Sequence, residues 1–316
     1  MLETGIFKLV LDAVGKNGEL PEQFELPENN NGKIALNNDG KIGFAAGAKD
    51  GIMLYHTAPT APSAETLKLV GQAIRELSAG NNAGAAICFA ELGRRPGMVS
   101  LIDAIEDYVY KNQATLNPQK LFLGGVHLLL TAEDAEVVKA GLIMMSLINA
   151  KDDNARDAVR VIGLCDEFTL FAILNMSRWN AGNAEIFQLA RHVHGWGRIH
   201  ALSALQPQTR EIADWILTDG LKNRVLESYS ALEVYEKANV KGRIEAVLAG
   251  ENMELKLWEA IIHVLAVMTR PGPVSSLSGV SNPEGVIRNV VLLSEKIDVS
   301  DEARAELDEL ASFLAH

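Results

Sequence analysis

Apolar residues recur at helical spacing along most of the chain, and this pattern predicts an all-α protein. From residue 63 onward the helical pattern is almost continuous, beginning at Ser63, whose hydroxyl can cap a helix. Gly, Pro, Asn and Asp break the pattern at short intervals after residue 134. Connections this short place successive helices antiparallel and in contact. The helices predicted there cover residues 135–149, 153–164, 166–177, 183–194, 197–205, 208–218, 222–237, 240–249 and 253–268.

The sequence of these helices also repeats: alanines in similar apolar contexts are 29 to 32 residues apart. They are Ala140, Ala172, Ala201, Ala231 and Ala260. Five alanines can align by chance, but the breaks between helices keep the same period. A helix pair of about 30 residues that cannot bury its apolar faces alone is the repeating unit of an α-solenoid. The pattern therefore predicts an α-α superhelix of stacked helix pairs.

Two phrases of the sequence resemble the first helix of HEAT-like, armadillo-type repeats. They are Asp134-x-x-Val137-x-x-Ala140 and Trp196-x-Arg198-x-x-Ala201-x-x-x-Leu205. The resemblance covers Asp134 to Met268 and implies a scaffold that binds a protein or peptide on its concave face. In other repeats Lys139, Phe171 or Glu259 precedes the small residue, and the arginine is usually missing. These departures leave the exact repeat class open.

The first 62 residues differ from the rest, so we expect residues 1–62 to pack on a repeat domain of residues 63–316. Residues 1–20 have early acidic residues and no cleavage site after an apolar core, which predicts a short amphipathic helix and no signal peptide. Two alternating segments, Lys33–Leu36 and Lys41–Phe44, flank an Asn- and Gly-rich stretch and predict a small β-hairpin or ordered loop. At the other end, a polar helix that starts at Ser300 is expected to cap the array.

The formal net charge of −12 disfavours binding to nucleic acid, since no run of Lys and Arg offsets it. No apolar stretch reaches the roughly 18 residues that a membrane span needs. Cys88 and Cys165 both lie in apolar stretches without CxxC spacing, which predicts buried thiols in a reducing compartment. A cytoplasmic protein is therefore expected.

The most suggestive polar segment runs from His192 to His200, and it contains His192, His194, Trp196, Arg198 and His200. Neutral imidazoles are good zinc ligands, but the spacing matches no metal-binding motif and no cysteine lies near. The segment is better explained as a helix end followed by a tight turn, with Trp196 and Arg198 in packing roles. If a polar or anionic ligand binds, these five residues are the expected site.

A second, weaker candidate lies around Gly43, Gly47 and Gly51. Their spacing matches neither dinucleotide-binding nor P-loop glycines, and the stretch is interpreted as a turn that docks the N-terminal segment. Asp50, Tyr55 and His56 then become ligand candidates near one end of the concave surface.

The sequence contains no motif that assigns a catalytic residue, a metal or a cofactor. We expect a non-enzymatic scaffold for a protein or peptide partner, by analogy of fold. Two alternatives stay open: an enzyme or metal- or small-ligand-binding protein with a polar pocket near residues 192–200, and a HEAT-like nucleic-acid-binding module, which the acidity disfavours.

Overall fold

A computed structural model describes residues 5–27, 45–94, 97–148, 150–274 and 277–315. These ranges contain seventeen α-helices and no β-strand, so the all-α prediction is confirmed. The predicted hairpin at 33–44 lies outside the described residues. The contacts divide the chain into two compact units, Met1–Gly197 and Arg198–His316.

The first unit is built from short-linked helix pairs. Its helices are α1 Ile6–Ala13, α2 Ala48–His56, α3 Ala64–Ala79, α4 Asn82–Arg94, α5 Ile102–Asn112, α6 Pro118–Thr131, α7 Ala135–Ser146, α8 Asp153–Gly163, α9 Asp166–Met176 and α10 Gly182–His192, with a 3-10 helix at Met98–Leu101. The pairs α3/α4, α6/α7 and α8/α9 each pack together. Between pairs, α3 contacts α6, and α7 contacts both α4 and α9. Helix α1 contacts α6 and α8.

The second unit repeats this manner of packing. Helix α11, Trp196–Ala204, begins just before it, and its other helices are α12 Arg210–Asp219, α13 Ser228–Lys237, α14 Val240–Leu248, α15 Leu255–Thr269, α16 Pro283–Ser294 and α17 Asp301–Leu314. Helix α15 contacts α13 and α17, and α16 contacts α14 and α17. Trp258 is buried in this core and donates its indole N–H to the Ser294 hydroxyl, 3.0 Å away.

The helices form largely where the apolar spacing predicts them, because polar groups mark their ends. Ser63 accepts a hydrogen bond from the Thr66 N–H, and Ser300 accepts one from the Ala303 N–H. These contacts satisfy backbone donors that a helix leaves open at its first turn. The five alanines of the period lie on α7, α9, α11, α13 and α15, which is every second helix. Four are buried and Ala260 is partly exposed, an arrangement compatible with an α-α superhelix.

One predicted feature is wrong. Residues 44–56 were expected to form a docking turn, but Ala48–His56 is the helix α2. Gly47, the residue before the helix, has φ 76°, a left-handed conformation that glycine adopts without strain. Gly51 looks like a helix breaker in the sequence, yet it lies inside α2. A larger residue would not fit there, because a Cβ would come within 2.2 Å of the Trp196 ring. A close helix-to-ring contact thus explains this glycine.

Candidate functional site

A fully buried lysine lies at the centre of the first unit. Lys139 of α7 has no exposed surface, and its Nζ contacts three carboxylates. The distances are 2.6 Å to Glu167 Oε1, 2.7 Å to Asp50 Oδ2 and 3.0 Å to Glu136 Oε1. We call these four residues the Lys139 cluster. It joins three helices, α2, α7 and α9.

Backbone groups and a second lysine contact Glu167 and Glu136 on the outer side of the cluster, whereas Asp50 Oδ1 has no hydrogen-bond partner among the described residues. The Gly47 N–H donates to Glu167 Oε2 at 2.7 Å, and the Met98 N–H donates to Glu136 Oε2 at 2.6 Å. Lys49 of α2 lies 3.7 Å from Glu136 and is about one-third exposed. Buried charges are tolerated in a protein interior only when they are paired and hydrogen-bonded in this way.

The cluster shifts the pKa of its members in opposite directions. Burial disfavours the charged form of Lys139, but the three carboxylates outweigh it and raise the lysine pKa above its ordinary value. Burial likewise acts against ionised Glu136, yet Lys139 and Lys49 lower the pKa of that carboxyl. For Asp50 burial is the largest influence; together with the charges of Glu167 and Glu136 it outweighs Lys139 and raises the pKa to about 6. The cluster therefore holds more negative charge than its lysine neutralises.

This geometry describes an anchor, not a reaction centre. A nucleophilic lysine needs a lowered pKa and access to substrate, whereas Lys139 is sealed from solvent and held in its charged form. Asp50, a predicted ligand candidate, is only 2% exposed and belongs to this cluster. The arrangement fixes α2 to α7 and α9.

The other candidates on and around α2 contribute to the same packing. Trp196 is buried beside Gly51, and its ring centroid lies 6.1 Å from that of Tyr55. Tyr55 is partly exposed, and His56, the last residue of α2, is exposed. The predicted ligand candidates of α2 thus divide into a buried anchor, a residue beside Trp196 and a surface histidine.

His192 and His194 also lie in the first unit, where α10 ends. His192 is the last residue of the helix, and its Nδ1 is 2.7 Å from the Gln188 carbonyl oxygen. The chain is extended at Val193, and His194 Nε2 then lies 3.6 Å from Glu19 Oε2. The sequence suggested a helix end followed by a tight turn; α10 ends here as suggested, but the backbone that follows it is extended.

Arg198 and His200 belong to the second unit, and both are 5% exposed. Arg198 donates from Nη1 to the Asp219 carbonyl oxygen at 3.1 Å, at the end of α12, and its guanidinium carbon lies 5.2 Å from the centre of the Trp215 ring. Burial lowers the pKa of His200 to about 4, so its ring is neutral at pH 7. In the described part of the chain, no three His, Cys, Asp or Glu side chains are arranged to hold a metal ion.

A half-open pocket lies at the opposite ends of α7 and α9 from the Lys139 cluster. It encloses about 110 Å³. Its floor is formed by the buried residues Phe122, Met145 and Val159, and its more exposed wall by Arg156, Arg178 and Trp179. We call this site the Trp179 pocket. Its apolar floor and few polar groups are typical of a ligand site.

The polar wall of the pocket is ordered by stacking and ion pairs. The guanidinium carbons of Arg156 and Arg160 lie 5.3 and 5.2 Å from the centre of the Trp179 ring. Arg160 binds Glu185 through two hydrogen bonds of 2.9 and 2.6 Å, and Arg178 binds Glu106 at 2.9 Å. Arg156 differs, because its Nε is buried and has no hydrogen-bond acceptor among the described residues. Trp and Arg are the residues that most often carry the binding energy of interfaces.

Sequence reasoning identified neither the Lys139 cluster nor the Trp179 pocket. In the sequence Lys139 stands out only as a charged residue in the apolar stretch VVKAGLIMM, where it departs from the HEAT-like phrase. Trp179 follows α9 in a short connection, and no motif marks it.

Comparisons with protein-family models, with curated proteins and with solved structures found no match for the chain. Within the described ranges, none of the helices combines the length and the apolar composition that crossing a membrane requires.

Proposed function

We propose that the chain is a HEAT-like helical scaffold that binds a peptide segment of a partner protein, and that the Trp179 pocket is its anchor site. The observation that carries the proposal is the pocket itself: a buried apolar floor beside a tryptophan flanked by two arginines. Rows of packed helices with alanines on every second helix support the HEAT-like assignment. The concave face that the resemblance implies stays a prediction.

The size and composition of the pocket favour a peptide anchor over a catalytic centre. A cavity of about 150 Å³ lined by aliphatic groups holds one benzene ring, so 110 Å³ suits one side chain of aliphatic size. Its ionisable wall residues include two arginines, which remain protonated and cannot act as general bases. The net charge of −12 still disfavours nucleic acid as the partner.

The proposal is tested by selecting peptides on the intact chain from a random library that is displayed with free carboxyl termini. Peptides enriched on the wild type should bind the Trp179→Ala variant at least tenfold more weakly, because truncating a hot-spot aromatic residue costs about 2 kcal/mol or more. Trp215→Ala is the matched control, since Trp215 is also partly exposed and stacked by an arginine but lies outside the pocket. Circular dichroism must show both variants folded. Failure to enrich any peptide, or enriched peptides that bind Trp179→Ala unchanged, would refute the proposal.

A further inference from the structure

The Trp179 pocket has one cation that is poorly neutralised. Arg178 and Arg160 have close carboxylate partners, whereas Arg156 reaches a carboxylate, that of Asp153, only at 4.0 Å in the described part of the chain. Asp153 is itself almost fully exposed. The charge of the Arg156 guanidinium is therefore only weakly paired within the described residues, and this guanidinium can pair with an anion that a ligand supplies.

The one carboxylate in the pocket lining is already engaged. Asp152 caps α8, and its Oδ1 accepts a hydrogen bond from the Ala155 N–H at 3.0 Å. The Arg156 guanidinium carbon lies 5.3 Å from the centre of the Trp179 ring, a cation–π contact that restricts the side chain. An arginine side chain held in this way binds a carboxylate through two parallel hydrogen bonds, which is stronger and more specific than a single contact.

The apolar floor lies one helical turn from this cation. Val159 follows Arg156 by three residues on α8, so their Cβ atoms are about 5–6 Å apart on one face of the helix. Because both residues line the same pocket, one ligand residue that carries an apolar group and a carboxylate can contact both. The last residue of a peptide does so, because its side chain and its α-carboxylate branch from the same Cα.

We infer that the Trp179 pocket binds the carboxyl-terminal residue of a peptide, with an aliphatic side chain on the floor and the α-carboxylate on Arg156. This inference rests on the proposed function and specifies its ligand. It predicts that the pocket prefers a peptide with a free terminal carboxylate over the same peptide without that charge, even when the apolar side chain is identical.

The test compares two synthetic peptides, acetyl-Gly-Ser-Gly-Leu with a free carboxylate and the same peptide with a terminal amide. Binding is measured by titrating each into the ¹⁵N-labelled full chain and following the indole N–H signals of Trp179 and Trp215. The acid should bind at least tenfold more tightly than the amide and shift the Trp179 signal but not the Trp215 signal. Arg156→Gln should abolish the preference, and Arg156→Lys should keep part of it. Arg94→Gln, which removes an exposed arginine outside the pocket lining, should leave it unchanged.

Three outcomes would overturn the inference. If the acid and the amide bind equally while library peptides still depend on Trp179, the pocket binds an internal segment and only this inference fails. If Arg156→Gln is folded and keeps the preference, the carboxylate binds elsewhere. If N-acetyl-leucine binds as tightly as the tetrapeptide and no library peptide is enriched, the ligand is a small organic carboxylate, and the proposed function fails as well.

Discussion

Replacing Lys139 with methionine tests whether the Lys139 cluster anchors the first unit. Methionine has a similar length and no charge, so Lys139→Met leaves three carboxylates in the interior without their shared cation. Lys139 contacts them at 2.6 to 3.0 Å and is 0% exposed, so solvent screening does not weaken these pairs. Removing one partner of such a buried pair costs about 3–5 kcal/mol. This is a large part of the 5–15 kcal/mol that typically stabilises a domain.

Urea unfolding followed by circular dichroism at pH 7.5 measures this loss, and hydrogen exchange locates it. We expect the exchange of peptides from α2, α7 and α9 to accelerate by about two to three and a half orders of magnitude, which is 3–5 kcal/mol at 1.4 kcal/mol per tenfold. Lys49→Met is the matched control. Lys49 lies 3.7 Å from Glu136 and is about one-third exposed, so its loss should cost about 1 kcal/mol or less.

The pH dependence separates an electrostatic cost from a packing cost. Without Lys139 the stranded carboxylates have folded-state pKa values above their unfolded values, so protonation favours the folded state as pH falls. Already in the wild type the pKa of Asp50 is raised to about 6. The penalty of Lys139→Met should therefore shrink between pH 7.5 and pH 5. A loss below about 1 kcal/mol at pH 7.5, or an equal loss at both pH values, would show that the paired charges of Lys139 do not hold α2, α7 and α9 together.

Two further predictions concern the attachment of α2. Asp50→Asn should stabilise the protein at pH 8 by up to about 3 kcal/mol, since a folded-state pKa of about 6 against the ordinary 3.8 means that burial opposes the ionised form. This gain should disappear as pH falls through 6 towards 3.8, and urea titrations that show no gain at pH 8 would contradict it. Gly51→Ala should cost about 1–3 kcal/mol through overpacking against Trp196, although alanine ordinarily stabilises a helix interior by about 1 kcal/mol. The cost should fall in a Trp196→Leu background; an equal cost there would exclude the ring contact as its cause.

The helices after residue 134 were predictable because their ends carry local chemistry. Most boundaries lie within about two residues of those expected, since the breaks are Gly, Pro, Asn and Asp residues whose preferences are local. The segment predicted at 222–237 is the clearest departure, because α13 begins only at Ser228. Asn223 Oδ1 accepts hydrogen bonds from the Val225 and Leu226 N–H groups and holds a turn there.

The Lys139 cluster was not predictable, because its members share no motif. Asp50, Glu136 and Glu167 lie on three different helices and meet only through tertiary packing. Each carboxylate taken singly is typical of a solvated helix face, and Lys139 looks like a departure from a repeat. The same holds for Gly51, whose neighbour Trp196 is 145 positions away in the chain.

The Lys139 cluster and the Trp179 pocket lie at opposite ends of the same two helices, α7 and α9. Lys139 and Glu167 lie in the N-terminal halves of α7 and α9, and the pocket residues Met145 and Asn175 lie near the C-terminal ends of the same helices. Six residues of α-helix, the separation of Lys139 and Met145, span about 9 Å. An ion cluster that fixes α7 against α9 at one end therefore restricts their movement at the other. A pocket with an ordered wall loses less entropy when it binds, so in the function proposed above the buried charges would contribute to binding without touching the ligand.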